Sequence, residues 1–331
     1  MEWNKDLEKK ILFKYRFTLT VRVIKVIAAA LFFFWLYMLV VTLIYDGTRF
    51  GEKHAFYSKV AMDWTQPNME EEFGSFDSIE ITPFLTQKIS YPIYKRVGKE
   101  TVRAGDMKQA KSLLNTFSKR NIEFAEPKTE KEYNFYLPED PRTGKSLEEN
   151  EVPGVWNRLE KVDEGTVAEL SFSTKMFMKP EELYEILKPY DVDVLWMPLY
   201  AGELKEFETS WGGGGDSISL FYNFGFTGGR ETNNDFNSQT KLSFEPDHLN
   251  ENKKLMLKQM NELLENESGS YRENFLGLDH LEERYNYLMK NGFQVYGAVV
   301  TGPVKELLKL RDLEQIQGAD LGKMTYWNWE E

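Results

Sequence analysis

The sequence contains no cysteine and only three histidines, His54, His248 and His280. Without cysteine there is no disulfide framework, no cysteine nucleophile and no cysteine-ligated zinc or iron–sulfur site. The histidines are far apart in the sequence, which argues against a histidine-rich metal site. We therefore expect neither a metal nor a cofactor. Aromatic residues make up 15% of the chain, so a sizeable apolar core is available.

Catalytic motifs are scarce as well. The glycine run at residues 212–215 has no lysine after it, so a flexible loop explains it better than a phosphate-binding loop. Asp216-Ser217 does not stand in the G-x-S-x-G pattern of a nucleophile elbow. The sequence shows no recognisable set of residues that could serve together as catalytic acid, base, nucleophile or metal ligands. The sequence therefore favours a non-enzymatic sensory, regulatory or binding protein, with no small-molecule substrate evident.

Charged residues are also absent from residues 26–45, VIAAALFFFWLYMLVVTLIY. A helix of this length spans roughly 30 Å, the thickness of the hydrocarbon core of a bilayer. A cleaved signal peptide would have a shorter apolar region, of about 7–15 residues, that ends in small residues. We predict an uncleaved signal anchor, a single transmembrane helix in the lipid bilayer.

The charges on either side of this span are unequal. Residues 1–25 carry seven Lys and Arg against three acidic residues, whereas the charges at residues 46–53 cancel. Excess positive charge stays in the cytoplasm, so a basic cytoplasmic tail at residues 1–25 and an extracytoplasmic bulk are predicted. The bulk is more acidic than the whole chain, whose net charge is −12. Such a domain is a poor nucleic-acid binder and should be repelled by anionic lipid headgroups.

The segment between the span and residue 150 is less regular. Residues 46–75 mix aromatic and polar side chains without clean periodicity, which predicts a juxtamembrane connector, although residues 56–62 could extend the membrane helix. Residues 76–150 form a β-rich N-terminal part of the outer domain. Within it, Ala110, Leu113, Leu114 and Phe117 have the i, i+3, i+4, i+7 spacing of a helix.

Residues 155–331 contain two similar patterns. Residues 166–172 alternate as a half-buried strand does, a helix begins at Pro180, and a second strand follows from Val192. The strand FQVYGAVV, a helix after Pro303 and a last strand from Ile316 repeat the order. An insertion at about residues 198–292 separates the two units, loop-like first and helical later. Two split strand–helix–strand units predict an α+β fold, a ferredoxin-like α/β sandwich with a helical insertion.

Several segments resemble the bacterial sigma factor regulator family, membrane-bound regulators of extracytoplasmic-function sigma factors in Firmicutes. The terminal segment NGFQVYGAVVTGPVKELLKL with YWNW carries the resemblance, together with VDEGTVAELSFS, PYDVDVLW and KYRFTLTVRVIKVI. The resemblance covers about residues 14–45 and 155–329. The positions of the family motif are Tyr296, Gly297, Val300, Thr301, Gly302, Pro303, Trp327, Asn328 and Trp329.

The resemblance implies a protein that works on both sides of a membrane. An inner segment would hold a sigma factor, and an outer domain would respond to envelope stress. Only about 25 residues precede the span here, which is too short for a folded anti-sigma domain. The tail could form an amphipathic helix that docks on a partner through Trp3, Leu7, Ile11 and Tyr15, or a basic helix that only continues the membrane helix.

Two functions remain open at this point. The first is an anti-sigma factor, or an accessory that binds a sigma factor or a separate anti-sigma subunit. The alternative is a cell-envelope binding module that recognises wall polymer, a lipid-linked precursor or a membrane protein partner.

Overall fold

The computed structural model describes residues 5–71, 78–114, 117–125, 133–147, 154–214 and 217–326. The chain divides into two compact units, Met1–Gly51 and Glu52–Glu331. The side chains of the first unit are mostly exposed, whereas the second unit has an apolar core.

The first unit is one long helix, α1 (Lys5–Thr48), of 44 residues. Nearly all its side chains are exposed, including Leu31, Phe33 and Leu43. Among the described residues, α1 is the one helix that is both long enough and apolar enough to cross a membrane. The predicted span at residues 26–45 lies inside it, and the basic residues 5–25 continue the same helix. Arg49 follows with a left-handed backbone, φ 54°, at the point where α1 ends.

A second helix, α2 (Phe50–Thr65), occupies the segment predicted as a connector. Every residue from His54 to Trp64 is buried. The structure thus differs from the predicted connector, because a helix buried on all its faces shows no apolar–polar periodicity.

An antiparallel sheet of four strands follows α2. Its strands lie side by side in chain order: β1 (Ser78–Ile81), β2 (Thr86–Val97), β3 (Glu100–Ser112) and β4 (Ser118–Phe124). The helix predicted over residues 107–117 is wrong, because residues 107–112 belong to β3 and β4 begins at residue 118. Gly105, Met107 and Gln109 alternate with less buried residues, which is the period of a strand.

The remaining elements belong to the predicted sandwich and its insertion. The helices are α3 (Val155–Leu159), α4 (Pro180–Leu187), α5 (Leu249–Asn266), α6 (Leu281–Asn291) and α7 (Val304–Lys309). The strands are β5 (Thr166–Met178), β6 (Asp193–Tyr200), β7 (Trp211–Gly212), β8 (Ser219–Leu220), β9 (Gly225–Phe226), β10 (Arg230–Thr232), β11 (Gln239–Lys241), β12 (Gln294–Pro303) and β13 (Ile316–Tyr326).

Five of these strands form an antiparallel sheet in the order β13-β5-β12-β6-β9. The units β5–α4–β6 and β12–α7–β13 interleave, with β5 and β12 at the centre, as in a split strand–helix–strand fold. The predicted α+β sandwich is therefore confirmed. Helix α4 starts at Pro180, as predicted, and the Glu182 side chain accepts a hydrogen bond from the backbone N–H of Lys179 at 2.9 Å.

The insertion between β6 and β12 also follows its prediction. Short strand pairs β7–β8 and β10–β11 occupy the glycine-rich part. Helices α5 and α6 occupy the later part, with a π-helical turn at Tyr271–Phe275 between them. One large apolar core contains residues of α2, both sheets, α5 and α7.

Candidate functional site

The described motif positions lie on the central strand β12. Tyr296 and Val300 are fully buried there. A Cβ atom on Gly297 would lie 2.2 Å from the carbonyl oxygen of Phe172, and one on Gly302 would lie 2.6 Å from that of Asp191. These glycines therefore allow the backbone of β12 to approach its neighbours closely.

Thr301 gives the motif a second role. Its hydroxyl donates a hydrogen bond to the carbonyl of Ala168 at 2.9 Å and accepts one from the backbone N–H of Gly98 at 2.6 Å. Gly98 lies in the turn between β2 and β3, with φ 62°. The motif threonine thus joins the four-stranded sheet to the five-stranded one. Trp327, Asn328 and Trp329 lie outside the described residues.

A buried carboxylate connects the same two sheets. Glu169 of β5 accepts hydrogen bonds from the Tyr133 hydroxyl and, at 2.5 Å, from the Asn68 side-chain amide. The ammonium of Lys95 on β2 lies 4.0 Å from Glu169 and donates to the Tyr133 hydroxyl at 3.0 Å. A buried charge with this many partners is tolerated, whereas an isolated one is costly.

Four further buried charges hold α2 in the second unit. Arg230 of β10 pairs with Asp63 of α2 at 3.2 Å and with Glu71 at 3.3 Å. Lys59 of α2 pairs with Glu71 at 2.7 Å. Burial alone would lower the pKa of Arg230, but the two carboxylates raise it above its usual value. Together, Lys59, Asp63, Glu71 and Arg230 form a buried ion network.

His54 fixes the first turns of α2. Its Nδ1 atom lies 2.6 Å from the side-chain oxygen of Gln87 on β2, and its ring lies 5.0 Å from that of Tyr271 and 5.7 Å from that of Phe275. Burial lowers the pKa of His54 to about 4, and the hydrogen bond that its Nδ1–H donates to the side-chain oxygen of Gln87 offsets this only in part. The imidazole is therefore neutral at physiological pH.

A cleft of about 580 Å³ opens elsewhere on the second unit. Its wall includes two arginines that already have partners. Arg120 donates to the carbonyl of Leu276 at 2.5 Å, and Arg284 is paired with Glu203. The aromatic side chains of Phe221 and Tyr222 at this cleft are 51% and 65% exposed. The arrangement suits a binding surface for a ring or an apolar group.

The described ranges contain no cluster of three or more His, Asp or Glu that could hold a metal ion. On α1, Leu7, Ile11 and Tyr15 are 60%, 61% and 67% exposed, on one continuous helix with the span. Trp3 lies outside the described residues.

Sequence reasoning missed the buried ion network. Asp63 and Arg230 are separated by 167 positions, and nothing local to either residue reveals the other. A usable signal was present in α2, where Lys59 and Asp63 stand among residues that are otherwise apolar or aromatic. Charges in such a setting need buried partners.

A long apolar helix with nearly all of its side chains exposed, followed by a unit built on two main sheets, indicates a membrane-anchored α+β protein. The model of the N-terminal part of sigma factor regulators matches residues 9–102, and the model of the C-terminal part matches residues 159–323. The chain therefore belongs to the sigma factor regulator family. Together, the family and the apolar helix α1 indicate a single-pass membrane protein.

A curated relative agrees with this assignment. The chain is 23% identical over 286 residues to the probable anti-sigma-M factor YhdL of Bacillus subtilis (strain 168). The alignment covers 86% of this chain and 71% of that protein. No solved structure matches the chain. The contact between Thr301 and Gly98 joins the two segments that the family models match.

Proposed function

We propose that this protein is a membrane-anchored anti-sigma regulator, which acts by binding and not by catalysis. Its partner inside the cell is an extracytoplasmic-function sigma factor or a separate anti-sigma subunit. The observation that carries the proposal is the continuity of the chain from an apolar membrane helix, α1, directly into α2. Because α2 is buried in the second unit, a change in that unit can act on the chain that enters the membrane.

The proposed orientation places residues 1–25 in the cytoplasm and the second unit outside. The excess of Lys and Arg before the span supports it. In this orientation Leu7, Ile11 and Tyr15 form an apolar stripe beside Lys9, Lys10, Lys14 and Arg16. That chemistry fits a partner with an apolar groove and an acidic rim.

The test is a crosslinked pull-down of the full-length protein from native membranes, read by mass spectrometry. We expect a sigma factor or an anti-sigma subunit among the specific partners. Changing Leu7, Ile11 and Tyr15 together to serine should abolish that capture. The matched control changes Phe13, Phe17 and Ile24, three exposed apolar residues on the opposite face of the same helix, to serine and should retain it.

Each outcome bears on a different part of the proposal. Equal capture by both triple variants would reject the stripe as the contact and leave the membrane helix as the coupling element. Capture of wall-synthesis proteins alone, with no transcription partner in any form, would reject the regulator.

The cleft with Phe221 and Tyr222 favours a second candidate function, an envelope binding module for wall polymer or a lipid-linked precursor. The test is binding of purified wall components to the full-length protein in nanodiscs, against Tyr222→Ala. Tighter binding by the wild type would support the module. Identical binding would exclude the cleft as its site.

A further inference from the structure

Three large apolar side chains are exposed at one end of the four-stranded sheet. Phe84 is 87% exposed in the turn between β1 and β2. Leu114 and Phe117 are 67% and 49% exposed at the turn between β3 and β4. The two turns are adjacent, because the backbone N–H of Leu113 donates to the carbonyl of Leu85 at 2.9 Å. These three residues are called the apolar tip below.

The apolar tip lies at the end of the unit where the chain enters it. His54 of α2 contacts Gln87, three residues after Phe84, and Ser58 contacts Tyr91 at 2.7 Å further along both elements. Helix α2 and strand β2 therefore start at the same end. His54 follows Thr48, the last residue of α1, by six positions, which is at most about 20 Å of extended chain. A connection of this length allows the tip to reach the bilayer that α1 crosses.

The charge around the tip differs from that of the whole chain. Lys88, Lys111 and Lys119 lie on the strands next to the two turns, against Glu80, which faces Lys88 on β1, and Glu267, which lies near Lys111 and is paired with Lys53. Lys88 and Lys119 are exposed on the same face of the sheet, on either side of Ala110. The whole chain carries −12. A local lysine excess beside exposed aromatic and aliphatic side chains is typical of segments that lie in a lipid interface.

We propose that the apolar tip inserts into the headgroup layer of the membrane that α1 spans. Phe84, Leu114 and Phe117 bury their side chains among the lipid chains near the surface, while Lys88 and Lys119 meet anionic headgroups. The overall acidity predicts a unit that stands off the membrane, and this end of the sheet is the exception. A bilayer suits the tip better than a protein partner, because the short connection to α1 allows the tip to reach lipid without a further binding event.

The absence of cysteine allows a direct test on the full-length chain. Phe84→Cys is labelled with an environment-sensitive fluorophore, and the protein is placed in nanodiscs of phosphatidylcholine and phosphatidylglycerol. The matched control is Lys99→Cys, in the turn at the other end of β2 and β3, about 36 Å away along the strand. Both positions are exposed turns, so neither label disturbs the core.

We expect the label at position 84 to emit at shorter wavelength than the label at 99 and to lose most of its intensity when the lipids are brominated. A label at Leu114→Cys should behave like the one at position 84. Lys88→Gln with Lys119→Gln should reduce the quenching in anionic nanodiscs and leave it unchanged in pure phosphatidylcholine.

Two results would overturn the proposal. Equal, aqueous emission at positions 84, 114 and 99 would show that the tip faces water. A blue-shifted label at 84 that brominated lipid does not quench would show that protein covers the tip instead. Retained circular dichroism of each variant confirms that the labelled chains are folded.

Discussion

The two consecutive helices α1 and α2 are both rich in apolar residues, but their side chains meet opposite surroundings. Those of α1 are exposed over almost its whole length, whereas eleven consecutive residues of α2, His54 to Trp64, are buried by protein. The two helices also differ in the charged residues that they contain. The apolar run in α1 contains no charged residue, since lipid offers no partner, whereas α2 carries Lys59 and Asp63 because Arg230 and Glu71 pair with them. Substitutions should therefore affect the second unit through α2 and leave it almost unchanged through α1.

The largest effect is expected from breaking the buried ion network. Arg230→Ala leaves Asp63 and part of Glu71 unpaired in the core, which should lower the free energy of unfolding of the second unit by about 3–5 kcal/mol. Thermal unfolding of the full-length protein in detergent, followed by near-ultraviolet circular dichroism, measures it. Lys188→Ala, which removes an exposed pair with Glu185, is the control and should leave the transition unchanged. An unaltered midpoint in Arg230→Ala would mean that α2 is not held by these charges.

Acid should loosen the start of α2 through His54. Its folded pKa, about 4, lies below the usual 6.5, so the folded state binds fewer protons than the unfolded state between these values. The stability due to neutral His54 is complete above pH 6.5 and is lost as the pH falls toward 4, by about 2–3 kcal/mol. The loss should show as a falling unfolding midpoint over that window, and His54→Gln should flatten this dependence. His248→Gln, at an exposed histidine, should keep the wild-type profile. Identical profiles for both variants would remove His54 as the cause.

A matched pair of alanines compares the two helices directly. Ala61 of α2 is fully buried, and Ala29 of α1 is exposed. Ala61→Leu forces three extra carbon atoms into a packed core and should cost about 1–3 kcal/mol. Ala29→Leu should cost nothing, since its surroundings are lipid. Unfolding midpoints of the two variants in the same detergent give the comparison. Equal destabilisation would contradict the assignment of α1 to the membrane.

The same contrast explains which elements were predictable from the sequence. Helix α4 was predictable because Pro180, two acidic residues and Pro189 mark its ends locally. Helix α2 was predicted only in part, as an extension of the membrane helix over residues 56–62, because burial on every face removes the periodicity on which such a prediction rests. Strand β3 was predicted to be partly helical because Leu113, Leu114 and Phe117 have helical spacing. Leu114 and Phe117 instead lie at an exposed turn, so burial in a core does not explain why these residues are apolar.

The candidate site also has a part that could be predicted from the sequence and a part that could not. The family motif on β12 was found from its residues, but the pairing of Thr301 with Gly98 joins positions 203 apart. The buried ion network likewise joins distant segments. Such contacts follow from the packing of the two sheets, which a single sequence does not contain.

An effect similar in size to that of Ala61→Leu is expected at the contact that joins those sheets. Thr301→Val keeps the shape of the side chain but removes the donor to Ala168 and leaves the buried N–H of Gly98 without its acceptor. The cost should be about 1–3 kcal/mol, mostly from the unsatisfied N–H. Thr240→Val, at an exposed strand position, is the control and should be nearly neutral. Hydrogen exchange distinguishes the two possible consequences. If the sheets form one cooperative unit that holds α2, amides of β2, β12 and α2 should all exchange faster in Thr301→Val. Faster exchange confined to the turn at Gly98 would mean that α2 is held independently of the five-stranded sheet, and that signals from that sheet do not pass to the membrane helix by this contact.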